Sequence, residues 1–235
     1  MDDTPNIPRI ASLLSDPARA RIVWALIDGS ARPAGELAYE AGISAQSASA
    51  HLAKLVHGGL LTAEAQGRHR YFRIQDTEVA CMIESMAALS LKIEPRLPQH
   101  VSLPRPMSGA FMHARTCYDH LAGELAVGVF AAMKKARWLK HWDKELVTTR
   151  LGEHRLRALG IDLDSARCER RVFARPCPDL TQRCPHLGGA LGTRMLELYV
   201  NRNWIVRSQR SRIVSITPKG NEMFRKLLAA DTITI

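Results

Sequence analysis

The sequence predicts a mainly α-helical protein with small β-hairpins, an α+β fold divided into two domains. Two features indicate this. Apolar residues recur at helical spacing between short interruptions, and the stretch from Glu94 to Gly109 carries four prolines, which prevent a helix from continuing. We therefore expect an N-terminal domain over residues 1–93, a proline-rich linker over residues 94–110, and a C-terminal domain over residues 111–235.

The first clear helix is predicted in the segment SDPARARIVWALIDG, which begins at Ser15. Either Ser15 or Asp16 can cap this helix, and Pro17 suits its first turn. Four apolar residues then share one of its faces, as helical spacing requires: Ile22, Val23, Leu26 and Ile27.

Two further helices with a sharp turn between them follow. The first covers residues 36–40, Gly42 supplies the turn, and the second covers residues 44 to about 57. This order is the helix-turn-helix pattern. After Gly58 the apolar period falls to about two residues, so LLTAEAQGRHRYFRI predicts a β-hairpin wing with its tip at residues 66–68.

A last helix of the N-terminal domain is predicted over residues 77–91. Its apolar residues recur at helical spacing: Val79, Ile83, Met86 and Leu89. A terminal helix of this kind is typical of an interface with a second copy of the chain, so we expect a homodimer.

The second helix of the helix-turn-helix pattern has the side chains that DNA recognition requires. Short polar residues near its start can reach base edges, and Gln46 can pair bidentately with adenine. Basic residues on this helix and the wing suit phosphates, which set affinity rather than sequence preference. The expected base-reading residues are Ser44, Gln46, Ser47 and Ser49, and the expected phosphate-binding residues are Lys54, Arg68, His69 and Arg70. His51 either contacts a phosphate or makes a structural hydrogen bond.

Three stretches together resemble the ArsR/SmtB family of winged helix-turn-helix repressors: LSDPARARIVWAL, ELAYEAGISAQSASAHLAKLVHGGLL and GRHRYFRI. The resemblance covers about residues 10–90. It implies a homodimer that occupies double-stranded operator DNA and is released by an inducer such as a metal ion or another chemical signal. It also implies that residues 44–54 enter the major groove and that residues 68–70 lie beside the backbone or minor groove.

The familiar sensing sites of that family are missing from this sequence. The first helix of the motif, ELAYEAG, has no cysteine of the metalloid-sensing type, and TEVACMIESMAAL has no histidine of the zinc-sensing type. Cys81 in the latter stretch is interpreted as a small buried residue. The resemblance therefore does not identify the inducer.

Charge and cysteine content indicate the partner and the compartment. The net charge of +10 indicates a polyanionic partner, and residues 1–92 carry 9 Lys and Arg against 10 Asp and Glu, which leaves 24 against 13 for the rest. Five cysteines without a C-x-x-C pair suit a reducing cytoplasm. No apolar run approaches the roughly 20 residues that span a bilayer, so we expect no membrane partner.

The C-terminal half contains an internal duplication. HLAGELAVGVFAAMKKARWL, from His120, aligns with HLGGALGTRMLELYVNRNWI, from His186, and Trp138 then matches Trp204. Each copy is interpreted as a helix that ends in tryptophan, a basic turn, a strand and a glycine-marked helix start. We therefore predict two winged-helix-like repeats, each made of a helix, a wing and a closing helix. A basic surface at the second wing is expected either to touch DNA or to be solvated, and it comprises Arg207, Arg210 and Arg212.

Upstream of each aligned helix, ARTCYD resembles ARPCPD, and each copy brings a cysteine, an aspartate and a histidine close together. If the copies pack around a pseudo-twofold axis, two sulfurs and two imidazoles converge, a set that suits zinc or another soft divalent ion. The expected ligands are Cys117, His120, Cys177 and His186, with Asp119, Asp179 and Cys184 as alternates.

Three other interpretations of the duplicated motif stay open. Nearby arginines, namely Arg115, Arg175 and Arg183, can stabilise thiolates that respond to oxidants. An organic effector can bind among Tyr118, Trp138, Trp142 and Trp204. In a purely structural role, Asp119 and Asp179 cap helix starts and the cysteines are buried.

The sequence as a whole predicts a DNA-binding transcriptional regulator, a repressor released by a metal, thiol-reactive or small-molecule signal. The alternative is a thiol- or metal-dependent enzyme domain fused to a DNA-binding module. No P-loop, dinucleotide fingerprint, H-E-x-x-H or G-x-S-x-G pattern occurs, so we expect no catalytic residues and no enzyme.

Overall fold

The structure is a computed structural model, and it describes residues 5–67, 69–93, 107–142, 145–182 and 184–229. The chain divides into two compact units, of which the second is made chiefly of the residues from Ser108 on. Residues 94–106, most of the predicted linker, lie outside the described residues, as does Arg68 at the predicted wing tip.

The first unit begins with four helices: α1 (Ile7–Leu14), α2 (Pro17–Ala25), α3 (Ala34–Ala41) and α4 (Ala45–His57). Capping residues start them as the sequence predicts. The carboxylate of Asp16 accepts the amide N–H of Arg19 at the start of α2, and the hydroxyl of Ser44 accepts that of Ser47 at the start of α4. Gly42 has φ +67°, a left-handed conformation that permits the sharp turn between α3 and α4.

A three-stranded antiparallel sheet and a long helix complete the first unit. The strands are β1 (Arg32–Pro33), β2 (Leu61–Gln66) and β3 (His69–Ile74), in the order β1-β3-β2, and α5 (Thr77–Ile93) follows them. The register of β2 on β3 runs from Leu61 opposite Ile74 to Gln66 opposite His69. The predicted winged helix-turn-helix is therefore confirmed.

The second unit repeats one order of elements twice. The first copy consists of α6 (Gly109–His113), β4 (Arg115–Cys117), β5 (His120–Ala122), α7 (Glu124–Lys135), β6 (Leu139–Trp142), β7 (Glu145–Thr148) and α8 (Arg150–Leu159). The second consists of α9 (Leu163–Cys168), β8 (Arg175–Pro178), β9 (Pro185–Gly188), α10 (Ala190–Asn201), β10 (Ile205–Arg207), β11 (Val214–Ile216) and α11 (Pro218–Ala229). Each copy is thus a helix, a hairpin, a buried helix, a second hairpin and a closing helix.

Backbone packing repeats as well as element order. A Cβ placed on Gly152 in α8 would lie 2.0 Å from the carbonyl oxygen of Trp138, and one on Gly220 in α11 would lie 1.9 Å from that of Trp204. Only glycine allows this approach, so the glycine-marked helix starts of the two copies serve the same close contact. The mainly helical α+β class with small antiparallel hairpins is confirmed.

The start of each repeat differs from the prediction. His120 and His186 lie on β5 and β9, not in helices, and the helices that follow have Gly123 and Gly189 as N-caps without a side-chain cap. The expectation that Asp119 and Asp179 cap these helices is therefore wrong. Hairpins with strands of three or four residues are too short to display a period of two in the sequence.

The repeats are also unsuited to reading DNA with a helix. Most of α10 is buried in the core of the second unit, including Leu191, Met195 and Tyr199. Arg212 is buried as well, and its guanidinium donates to the carbonyl oxygen of Thr116 at 2.7 and 3.0 Å. A buried arginine is not available to phosphates, so the basic surface predicted at the second wing loses one of its three members.

The four aromatic residues considered for an organic effector do not share an environment. Trp138 and Trp204 belong to the core, whereas Tyr118 and Trp142 are exposed. They differ too much in burial to line one pocket.

No helix in the described part of the chain combines the length and apolar character needed to cross a membrane.

Candidate nucleic-acid interface and metal centre

Helix α4 turns one face into the core and the other to solvent. Ala48, Leu52 and Leu55 are buried, which leaves Gln46 and Lys54 exposed on the outer face. Burial of the inner face fixes the helix against α3, because apolar residues three and four apart pack together. The remaining predicted base readers, Ser44, Ser47 and Ser49, are exposed on the same helix or its cap.

Local hydrogen bonds occupy part of this polar set. The hydroxyl of Ser44 caps α4, and the hydroxyl of Ser49 donates to the carbonyl oxygen of Ala45 at 2.9 Å. The exposed side-chain amide of Gln46 has both a donor and an acceptor, so it is the best placed of the set to pair with a base edge.

His51 lies on the buried side of α4 rather than among the exposed residues. It is half-buried, and its Nδ1 lies 3.9 Å from the Oδ1 of Asp16, the N-cap of α2. The Nδ1 is buried and makes no hydrogen bond among the described residues, so the phosphate contact and the structural hydrogen bond both stay predictions for His51.

On the wing, His69 and Arg70 are exposed on β3, and the guanidinium of Arg70 lies 5.7 Å from the ring centre of Phe72. Their position suits phosphate contacts.

In the second unit, the two short hairpins bring the duplicated motif together. Cys117 on β4 pairs with His120 on β5, and Cys177 on β8 pairs with His186 on β9. Their four ligand atoms all lie within 4.8 Å of one another, and the two imidazole Nε2 atoms are 3.2 Å apart. This cluster is the one group of its kind among the described histidines, cysteines and carboxylates. The residues thus form a candidate Cys2His2 metal site.

A carboxylate oxygen lies close to the Nδ1 of each imidazole. The Oδ1 of Asp119 lies 3.2 Å from the Nδ1 of His120, and the Oδ2 of Asp179 lies 3.0 Å from the Nδ1 of His186. Histidines that bind a metal usually give their second nitrogen to such a partner, which orients the ring and raises its basicity. The cluster does not include Asp119 and Asp179, the expected alternate ligands, and the third alternate, Cys184, is exposed outside it.

Arginines that sequence reasoning did not assign hold these carboxylates in place. Arg115 is fully buried and donates to the Oδ1 of Asp179 at 3.0 Å, while the amide N–H of Gly123 donates to its Oδ2 at 2.7 Å. Arg171 pairs with Asp119. Arg115, one of the arginines expected to stabilise a thiolate, is thus paired with a carboxylate on the other hairpin.

The electrostatics favour the neutral imidazole of His120. Burial, together with the nearby His186, lowers the pKa of His120 to about 4. Burial alone would also lower the pKa of His186, but its contacts with Asp179 and Cys117 raise the pKa above the ordinary value. The pKa of Asp179 lies well below its usual range despite burial, because His186, Arg115 and backbone amides hold the carboxylate.

The geometry of the cluster fits a tetrahedral ion. The two Nε2 atoms face each other at 3.2 Å, where one ring can donate a hydrogen bond to the other or both nitrogens can bind one cation. Two nitrogens bound to zinc at tetrahedral angles would be about 3.3 Å apart. A Cβ on Gly188 would lie 3.3 Å from both the His120 Nε2 and the Cys177 Cβ, so glycine keeps the space beside the donors open.

Comparisons with known proteins agree with the first unit and extend beyond it. A family model described as a helix-turn-helix domain matches residues 14–64. The HTH-type transcriptional regulator YdfF of Bacillus subtilis is 41% identical over 225 residues, which are 95% of this chain and 97% of that protein. This chain belongs to the HTH-type transcriptional regulators. It is a DNA-binding transcriptional regulator, as the sequence predicted.

Two other similarities cover less than half of the regulator. The HTH-type transcriptional regulator CmtR of Mycobacterium tuberculosis is 32% identical over 92 residues, 39% of this chain and 77% of that protein. A solved structure of the homodimeric winged helix-turn-helix domain of Mb0332 from Mycobacterium bovis, a possible ArsR-family regulator, is 26% identical to this chain. The alignment covers 40% of this chain and 87% of the Mb0332 chain, with a TM-score of 0.35.

Proposed function

We propose that this regulator is a dimeric repressor whose C-terminal domain binds a divalent metal ion of the zinc class, and that metal binding releases operator DNA. The observation that carries the proposal is the convergence of four donor atoms, from Cys117, His120, Cys177 and His186, within 4.8 Å. Two sulfurs and two imidazoles in a buried site suit a borderline-soft ion that prefers tetrahedral coordination.

The ligand set argues for binding rather than catalysis. Catalytic zinc sites keep one position open for water or substrate, whereas closed sites take all four ligands from the protein. Here the protein supplies four donors, and three of their residues are buried. We therefore propose that the C-terminal domain is a sensing domain and not an enzyme.

The ion would connect the two repeats. Cys117 and His120 belong to the first copy, and Cys177 and His186 belong to the second. Because one ion bound by all four residues would join the two copies, its occupancy would change the stability of the whole domain. A change in the stability of the domain on metal binding is the kind of effect through which an inducer can act.

On the DNA side, we propose that α4 enters the major groove of operator DNA and that the wing contacts its backbone. The exposed side chains Gln46, Lys54, His69 and Arg70 support this arrangement. A homodimer would place two such units on a palindromic site, and α5 offers an apolar surface to a second copy through Met86, Leu89 and Ile93, which are 47–69% exposed. Because its partner is DNA, the regulator would act in the cytoplasm.

The first experiment measures metal content and free thiols on full-length protein purified without oxygen or chelators. We expect about one zinc-class ion per chain and its loss in the Cys117→Ser, Cys177→Ser double variant. The matched control is Cys168→Ser, Cys184→Ser, which changes two exposed cysteines outside the cluster and should keep the ion. Metal-free wild-type protein that also fails to bind added zinc would refute the metal assignment.

A further inference from the structure

We propose that Cys177 is an oxidation site and that Cys117 is its resolving partner, so that a hydroperoxide converts the two thiolates into a disulfide between the repeats and expels the metal. The inference rests on the proposed metal site and adds a second signal to it. It concerns the same four residues but a different chemistry, which can be measured without the metal.

The two cysteines differ in accessibility. Cys117 is buried, with 6% of its surface exposed, whereas Cys177 is only partly buried. Both are in the reduced form. Within this pair, a small oxidant from solvent would therefore reach Cys177 before Cys117. Susceptibility to oxidation follows exposure and thiolate character.

The two sulfurs are also close enough to react with each other. They lie on separate hairpins, β4–β5 and β8–β9, and their Sγ atoms are within 4.8 Å. A disulfide needs about 2.05 Å between sulfurs, so the side chains must rotate toward the space that an ion would occupy. Formation of the bond and retention of the ion are mutually exclusive.

The reaction proceeds in two balanced steps. The Cys177 thiolate attacks the distal oxygen of the hydroperoxide, the O–O bond breaks, and the alkoxide takes a proton to leave as alcohol or water, with Cys177 as sulfenic acid. The Cys117 thiolate then attacks the Cys177 sulfur, and hydroxide leaves and takes a proton to become water. Two electrons pass from the cysteine pair to the hydroperoxide.

Loss of both thiolates removes two of the four donors. The remaining imidazoles of His120 and His186 hold a zinc-class ion far more weakly than the complete set does, because the anionic sulfurs supply the charge that balances the ion. Reduction of the disulfide restores the site, so the change is reversible until a cysteine is oxidised beyond the sulfenic state.

The other cysteines provide internal controls. Cys168 at the end of α9 and Cys184 before β9 are exposed and lie outside the cluster. A reaction governed by exposure alone would begin with them. A reaction governed by the cluster joins Cys177 to Cys117 and leaves the double variant Cys168→Ser, Cys184→Ser fully reactive.

The test treats full-length protein, zinc-loaded and metal-free, with hydrogen peroxide and maps its disulfides by mass spectrometry. A chelating dye follows zinc release at the same time. We expect a Cys117–Cys177 disulfide in both forms, zinc release in step with it, and recovery of zinc binding after dithiothreitol. In Cys117→Ser, dimedone should trap a sulfenic acid on Cys177.

Two results would overturn the inference: intact thiols at positions 117 and 177 while Cys168 and Cys184 oxidise, or disulfides that join other pairs. Failure of the proposed function is distinct from both. If wild-type protein binds no zinc, the metal assignment falls, yet disulfide mapping of the metal-free protein still decides whether Cys177 and Cys117 react as a pair.

Discussion

At the scale of single residues, the cluster depends on side chains that bind no metal themselves. Each imidazole contacts a carboxylate, and each carboxylate contacts an arginine. The first series of contacts runs from Arg171 through Asp119 to His120, and the second runs from Arg115 through Asp179 to His186. The three residues of the second series are buried. Removing one partner of a buried ion pair costs about 3–5 kcal/mol, so Asp179 and Arg115 are expected to be indispensable for folding of the domain.

A substitution at Asp119, which is partly exposed, tests metal affinity separately from folding. We expect Asp119→Asn to weaken zinc binding by about 10–100-fold, because the amide orients His120 less well and lowers its basicity. Competition against a chromophoric chelator measures the affinity, and Asp164→Asn, at an exposed ion pair with Arg157, is the control. Equal zinc affinity in wild type and Asp119→Asn would show that the carboxylate does not support the ligand.

The hydroxyl of Tyr199 is buried and has no hydrogen-bond partner among the described residues, while its ring packs on Trp204 and Phe224. Burial raises the pKa of its hydroxyl well above the ordinary value for tyrosine. Because a buried donor without a partner costs about 1–3 kcal/mol, Tyr199→Phe should leave the free energy of unfolding unchanged or increase it. Urea unfolding measures this, with exposed Tyr118→Phe as control. A clear loss of stability would mean that the hydroxyl is hydrogen-bonded in solution.

At the scale of elements, the first unit was predictable because its signals are local. Asp16 and Ser44 cap helices, Gly42 makes the turn, and apolar periodicity marks α2, α4 and β2–β3. In the second unit the duplication suggested which cysteines and histidines meet. It did not reveal that hairpins hold them, since strands this short carry no readable period, or that carboxylates stand behind them, since those contacts join residues far apart in the chain.

Helix α4 gives a prediction that concerns DNA alone. Gln46→Ala should cost about 1–3 kcal/mol of operator affinity and relax preference at one base position, because the amide pairs with a base edge. Fluorescence anisotropy on operator variants and on random DNA measures both effects. Gln75→Ala, at an exposed glutamine after β3, is the control. An equal loss on operator and random DNA would exclude base reading by Gln46.

At the scale of the whole molecule, the duplication explains why the donors are split between two copies. Neither hairpin holds more than two of the four ligands, so the site exists only where the repeats pack together. The core of the second unit likewise draws on both copies, with Leu121 and Leu187 beside the ligands. Metal binding and domain folding are therefore expected to be coupled.

Removal of the metal should lower the stability of the second unit in particular. A ligand present at 100 times its dissociation constant stabilises the folded state by about 2.7 kcal/mol. Calorimetry of the full-length protein with zinc and with a chelator should resolve a transition that shifts to lower temperature without metal. The Cys117→Ser, Cys177→Ser variant should not respond to zinc, and an identical shift in that variant would place the ion elsewhere.

The measurement that tests the account most directly is operator affinity as a function of free zinc, under reducing conditions, for wild type and for the Cys117→Ser, Cys177→Ser variant. The account predicts that zinc weakens operator binding by wild-type protein at about one ion per chain, while the variant binds operator equally with and without zinc. Wild-type affinity that does not change with zinc, in protein shown to hold the ion, would contradict a sensing role for the site.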